Sequence, residues 1–70
     1  MDSKQVENLG GKIQRLRKKK GLSQDELARK ADIPYTTLTK IEIGVIKNPS
    51  FGAVSKIANA LDIQLDDLNS

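Results

Sequence analysis

The chain of 70 residues contains neither cysteine nor histidine, and this absence sets the strongest limit on its fold. Without cysteine a disulfide framework is excluded, and without either residue a zinc finger is excluded as well. A domain of this length buries only about 60% of the surface that its unfolded chain exposes. These limits leave one small domain with a marginal hydrophobic core.

The same composition limits the chemistry that the chain can perform. The missing histidine removes the commonest general base and the usual catalytic triads, so we expect no enzymatic activity and no metal or other cofactor. Tyr35 and Phe51 are the only aromatic residues, too few for a domain that stacks single-stranded bases. No apolar run approaches the roughly 18 residues of a membrane span, and the polar first residues lack a signal-peptide core. The composition therefore predicts a basic cytoplasmic domain that binds a partner.

Basic residues are concentrated in one part of the chain. The net charge is +3, but residues 12–30 hold eight basic and two acidic side chains, whereas residues 50–70 hold one basic and three acidic. A basic block favours a polyanionic partner, nucleic acid first. The alternative is a solvated, lysine-rich helix end, which charge alone does not distinguish from a binding surface.

Apolar spacing predicts a first helix. Four residues recur at steps of three and four, as on one helix face: Val6, Leu9, Ile13 and Leu16. Gly10-Gly11 should weaken this helix, so we expect it to be firm only over about 12–20, after a polar lead-in over 1–8. Gly21 is expected to end it in a left-handed cap.

Two short helices and a tight turn follow. Ser23 and Glu26 form an S-x-x-E capping box, which predicts a second helix that ends near Asp32. Pro34 favours the start of a third helix, which should end at Gly44. The apolar positions suit two short helices that cross steeply: Leu27, Ala28, Ala31, Ile33, Leu38 and Ile41. This spacing predicts a helix-turn-helix, in which the second of the two helices enters the DNA major groove.

The C-terminal part predicts two further helices. Ser50 suits the N-cap of a fourth helix, and Leu65 and Leu68 mark a last short turn. The inner face of the fourth helix is expected to carry five apolar residues: Phe51, Val54, Ile57, Ala58 and Leu61. Because no segment alternates like a strand, the chain is predicted to be an all-α, five-helix single domain over 9–70.

Three sequence segments together resemble a known family. Leu16-Arg17 with Gly21-Leu22-Ser23-Gln24-Asp25-Glu26-Leu27-Ala28 is similar to its LR…GLSQEELA signature. Ile41-Glu42, Gly44 and Pro49 resemble its IExG…P segment, and Ile57-Ala58-Asn59-Ala60-Leu61-Asp62-Ile63 resembles its IAxALGV segment. The chain is thus similar, over nearly its whole length, to the Cro and phage-repressor type of helix-turn-helix protein, also called the xenobiotic-response-element family.

The resemblance implies a repressor-like fold in which the third helix, at about 35–43, reads DNA. Gln24 matches a residue that contacts a phosphate and braces the recognition helix. Lys47 and Asn48 match a loop that holds the DNA backbone. Arg17 and Glu42 match a partly buried salt bridge that holds the fold together. The positions that face base edges are matched by Tyr35, Thr36 and Lys40, with Thr37 beside them as a further candidate.

A helical wheel supports this assignment of the third helix. At about 100° per residue, two opposite faces emerge: Leu38, Ile41 and Glu42 inside, and Thr36, Lys40 and Ile43 outside. Lys40 can donate to guanine O6 and N7, and Thr36 can contact a thymine methyl or form a hydrogen bond. The alternative is that the threonines are only exposed polar residues, and that the Tyr35 ring covers part of the core.

Two segments depart from the family pattern. Asp32 stands where the family favours glycine, at a turn position that often needs a positive φ and costs other residues roughly 1–2 kcal/mol. Apolar residues flank Gly44, where the family often has polar residues that hold phosphate. One interpretation is that Ile43, Val45 and Ile46 form a dimer or protein-partner patch. The other is that Val45 and Ile46 fold back onto Phe51 as part of the core, which we favour for one of these two in a domain so small.

The sequence therefore predicts a sequence-specific regulator of transcription, acting as a repressor on a double-stranded DNA operator. Such modules bind as homodimers to half-sites about 34 Å apart, and this role places the protein on the nucleoid, without membrane contact. The alternative is a protein-interaction module of the same fold, an antitoxin or a coactivator, with little DNA specificity.

Overall fold

The computed structural model describes residues 8–69 and contains five α-helices. They are α1 (Leu9–Lys19), α2 (Gln24–Ala31), α3 (Tyr35–Glu42), α4 (Phe51–Ala60) and α5 (Leu65–Asn69). No strand occurs in the described residues, so the predicted all-α, five-helix architecture is confirmed. Residues 1–7 of the predicted lead-in lie outside this part of the chain, and so does Val6 as a predicted residue of the first helix face. In the same residues, no helix is long and apolar enough to cross a membrane.

The first helix begins earlier than the sequence predicts. The Asn8 side chain caps α1 by accepting a hydrogen bond from the Gly11 amide at 2.7 Å, and the helix runs through both glycines. Gly10 is buried because α1 passes close to the end of α3 there. A Cβ atom at Gly10 would lie 2.5 Å from the backbone carbonyl oxygen of Glu42. The helix thus starts before residue 12, and the missing side chain of Gly10 is what lets the two helices meet.

Three helices end in the same way. A residue with positive φ follows or caps each of them: Gly21 (φ 74°) after α1, Asp32 (φ 58°) after α2 and Asp62 (φ 60°) after α4. The amide of the next residue then reaches a carbonyl five positions back, in three equivalent hydrogen bonds: Leu22 to Arg17, Ile33 to Ala28 and Ile63 to Ala58. Each of these next residues packs against the core. The left-handed conformation expected at Gly21 and at Asp32 is thus present.

The core lies where the first four helices meet and is closed by Leu68 of α5. Its largest completely buried side chains are Ile13, Leu27, Leu38, Ile41, Ile57 and Leu61. Phe51 is not among them: 74% of it is exposed, so its predicted place on the inner face of α4 is wrong. Phe51 is the first residue of α4 and Gly52 beside it is exposed too, so the buried stripe of the helix starts only at Val54.

Candidate nucleic-acid interface

A buried ion pair connects α1 to the end of α3. The Arg17 Nε donates to Glu42 Oε2 at 2.9 Å and its Nη2 donates to Glu42 Oε1 at 3.2 Å. Arg17 is 8% exposed and Glu42 3%, so water screens this pair very little. The remaining Arg17 nitrogen, Nη1, donates to the Leu22 carbonyl at 2.8 Å. The two-point geometry fixes the orientation of both side chains, as in other arginine–carboxylate pairs.

Two glutamines complete the hydrogen bonding around Glu42. The Gln24 Nε2 at the start of α2 donates to Glu42 Oε1 at 2.9 Å. The Gln14 Nε2 of α1 donates to the Glu42 backbone carbonyl at 3.0 Å, which satisfies one of the carbonyls left open at the end of α3. Gln14 is not among the site residues expected from the sequence, although it precedes Arg17 by three residues and so lies on the same helix face. The C-terminal end of α3 is thus held by side chains from both α1 and α2.

The opposite face of α3 is open to solvent. Leu38 and Ile41 are completely or almost completely buried, whereas three residues on the other side are exposed: Thr36, Lys40 and Ile43. The Ile43 amide donates to the Thr39 carbonyl at 3.0 Å, so the helical hydrogen-bond pattern continues one residue past Glu42. The helical wheel therefore separates the two faces as the structure does.

The other residues near the start of α3 differ in accessibility. Tyr35 is the first residue of the helix and is 49% exposed, so about half of its surface is covered by the rest of the protein. Thr37 is half-buried. Thr39 is also half-buried, and its hydroxyl donates to the Thr36 carbonyl at 2.9 Å. Of these three threonines, only Thr36 is exposed.

The loop after α3 turns back toward the core at Gly44. Gly44 has a φ of 85°, and the Ile46 amide donates to the Lys40 carbonyl at 3.0 Å. Ile46 is half-buried and packs against the core, whereas Val45 is 65% exposed. The core alternative therefore applies to Ile46 and not to Val45, and Phe51 is not part of that core. Lys47 and Asn48 follow in the same loop and are both exposed.

The start of α2 is capped by a negatively charged side chain. Ser23 and Glu26 form the predicted capping box: the Glu26 amide donates to Ser23 Oγ at 3.0 Å and the Ser23 amide donates to Glu26 Oε1 at 2.8 Å. The hydrogen bond from the Ser23 amide is the main reason why the pKa of Glu26 lies below its ordinary value.

Among the described residues, no group of three or more acidic side chains is arranged to hold a metal ion.

The chain resembles known proteins over most of its length. A family model described as helix-turn-helix matches residues 13–68. The transcriptional regulator SinR of Bacillus subtilis (strain 168) is 37% identical over 60 residues, which are 86% of this chain and 54% of SinR. This chain thus spans about half the length of that relative.

Two solved structures of SinR superimpose closely on the five helices. The crystal structure of SinR in complex with DNA, described there as the master regulator for biofilm formation, matches with a TM-score of 0.85 and 35% identity. The match covers 89% of this chain and 98% of that one. The complex of SinR with the SinI protein matches with a TM-score of 0.83 and 37% identity, over 86% of this chain and 58% of that one. The chain belongs to the helix-turn-helix family of the Cro and phage-repressor type.

Proposed function

We propose that the protein is a sequence-specific regulator of transcription that binds double-stranded DNA and acts as a repressor. The observation that carries this proposal is the two-sided character of α3. One side is anchored by buried Leu38, Ile41 and Glu42, while the other presents exposed polar side chains. A rigidly held helix with a free polar face suits the major groove, which admits an α-helix. The similarity to SinR, whose crystal structure contains DNA, supports the same function.

The residues of the exposed face have separate roles in this proposal. Lys40 is exposed and donates to guanine O6 and N7. Thr36 contacts a thymine methyl or a base edge, and Tyr35 contacts a phosphate or a base edge from the first turn of α3. Thr37 is half-buried, so it contributes less contact area than Thr36.

The DNA backbone is held by residues on either side of this face. Lys47 and Asn48 are exposed in the loop after α3, where an ammonium and an amide can both donate to phosphate oxygens. A glutamine amide group has two N–H donors, and Gln24 uses one of them on Glu42. The second is available for a phosphate, so Gln24 can brace α3 and contact DNA at once.

The regulator binds its operator as a homodimer on two half-sites, and it acts on the nucleoid in the cytoplasm. Two copies related by a twofold axis place their α3 helices one helical turn of DNA apart, about 34 Å. Arg17 and Glu42 do not contact DNA in this proposal. They hold α3 against α1 and so position its exposed side with Thr36, Lys40 and Ile43, which we call the recognition face.

Selection of binding sites from a random duplex DNA library tests this function. The purified protein is expected to enrich an inverted repeat, which would reveal both the operator and the dimer. Enrichment of a single half-site would support sequence-specific DNA binding but exclude binding as a dimer. If only salt-sensitive binding without enrichment is found, the protein-interaction module is the correct function.

A further inference from the structure

Two β-branched apolar side chains stand among the proposed DNA contacts. Ile43 is 68% exposed and Val45 is 65% exposed, and both lie between Lys40 and Lys47 in the chain. Ile46, the third apolar residue of this segment, packs against the core and is therefore accounted for. Neither the Ile43 nor the Val45 side chain can donate a hydrogen bond to phosphate. Contact with the DNA backbone therefore does not explain why these two apolar side chains are exposed beside a proposed DNA-binding face.

The backbone places Ile43 on the recognition face itself. Thr36, Lys40 and Ile43 follow each other at steps of four and three residues, which lie on one side of a helix. The hydrogen bond from the Ile43 amide to the Thr39 carbonyl keeps Ile43 in helical register although α3 ends at Glu42. The rise from Thr36 to Ile43 is about 10 Å, or three base-pair steps. Val45 follows Ile43 after Gly44, where the chain turns back.

The major groove offers one apolar group to such side chains. Among the base edges, only thymine carries a methyl group, at C5, and aliphatic side chains recognise it by removing it from water. Adenine and guanine present donors and acceptors in the groove, and cytosine presents its N4 amino donor and carries only a hydrogen at C5. An apolar end of the recognition face would therefore favour thymine and disfavour the polar edges, which it cannot satisfy.

We propose that Ile43 and Val45 are specificity-determining residues that read thymine C5-methyl groups at one end of each half-site. This inference rests on the proposed DNA-binding function and adds the chemical class of the bases at that end. Lys40 reads hydrogen-bonding groups at the centre of the same face. The half-site thus combines a polar segment with an adjacent thymine-containing segment.

Deoxyuridine substitution tests this reading without changing base pairing. Each thymine of the selected operator is replaced in turn by deoxyuridine, which lacks only the C5-methyl group, and the dissociation constant is measured for each duplex. The wild-type protein is expected to lose about three- to fivefold in affinity at one or two thymines, the value of one buried methyl group. In Ile43→Ala or Val45→Ala, the loss at the matching thymine should disappear.

Phe51→Ala provides the matched control. Phe51 is 74% exposed and apolar but lies at the start of α4, so this variant should keep the wild-type deoxyuridine losses. Because Ile43 and Val45 are exposed, their alanine variants should unfold at nearly the wild-type denaturant midpoint, which separates lost recognition from lost folding.

The outcomes distinguish this inference from the function on which it rests. Failure to enrich any DNA sequence refutes both. Sequence-specific binding with deoxyuridine losses that are absent, or equal in the wild type and the alanine variants, refutes the methyl reading and keeps the function. If the variants instead weaken self-association in sedimentation while the deoxyuridine losses remain, these two residues form a contact between copies and the inference is wrong.

Discussion

Arg17 and Glu42, 25 positions apart in the chain, form a two-point ion pair with a shortest distance of 2.9 Å in the interior of the domain. Gln24 adds a third donor to the same carboxylate at 2.9 Å. Three helices therefore converge on one carboxylate at the C-terminal end of α3. In a domain with so small a core, this network fixes the direction in which the recognition face points.

Removal of one partner of this ion pair should be strongly destabilising. Arg17→Met leaves the Glu42 carboxylate buried without its counter-charge, so we expect the free energy of unfolding to fall by about 3–5 kcal/mol. Urea unfolding monitored by circular dichroism measures this change. The double variant Arg17→Met/Glu42→Leu should recover much of the loss, because no buried charge remains. A loss below half a kcal/mol for the single variant would contradict a buried role for the pair.

Gly10 is expected to tolerate no side chain. Gly10→Ala would place Cβ against the backbone carbonyl oxygens of Ile41 and Glu42, the latter at 2.5 Å. Both are backbone atoms that cannot rotate away. We expect a loss of about 1–3 kcal/mol in the free energy of unfolding, typical of overpacking. Gly52→Ala is the control: the nearest atom to a Cβ there is Ser50 Oγ at 4.0 Å. This second substitution should stabilise the protein by about 0.4–1 kcal/mol, since it restricts the unfolded chain.

Replacing either of the two aspartates with positive φ by glycine should stabilise the protein. Asp32 has a φ of 58° and Asp62 a φ of 60°, a region that is costly for residues with a Cβ. We expect Asp32→Gly and Asp62→Gly each to raise the free energy of unfolding by about 0.5–1 kcal/mol. Asp25→Gly should have the opposite effect, because Asp25 lies in the first turn of α2. A fall in the thermal midpoint for both cap variants would show that their left-handed conformation carries no strain.

The capping box at α2 should make stability dependent on pH in the acid range. The folded state lowers the pKa of Glu26 below its ordinary value of 4.5, chiefly through the hydrogen bond from the Ser23 amide. A lowered pKa means that the stabilisation is complete above the ordinary value and is lost as the pH falls through the lowered one. Glu26→Gln retains the capping geometry without the titration. The difference in urea midpoint between this variant and the wild type should therefore shrink from pH 6 to pH 3; a constant difference would rule out Glu26 as the source.

The residue pattern predicted the helices and their faces well, because burial on a helix has a period that the sequence shows directly. The outward face of α3 follows from this period alone. The role of Gly10 does not, since a glycine in a helix appears only as a weak point until the neighbouring α3 is known. Phe51 fits the period of α4, but periodicity does not show how far the neighbouring helices extend along it. The family resemblance implied that Gln24 braces α3, but the hydrogen bonds of Gln14 and Gln24 to Glu42 depend on how three helices pack.

The proposed division between base reading and backbone binding can be measured with two lysines. Both are exposed, Lys40 on α3 and Lys47 in the following loop. Lys40→Ala should relax the preference at one base pair by about 1–3 kcal/mol, because it removes donors to a base edge. Lys47→Ala should weaken binding to all sequences alike and reduce the slope of log affinity against log salt by about one, because it removes a phosphate contact. Dissociation constants for the selected operator, for its single-base variants and for unrelated DNA at several salt concentrations separate the two effects. Equal losses on every sequence from both substitutions would refute the assignment of Lys40 to base reading.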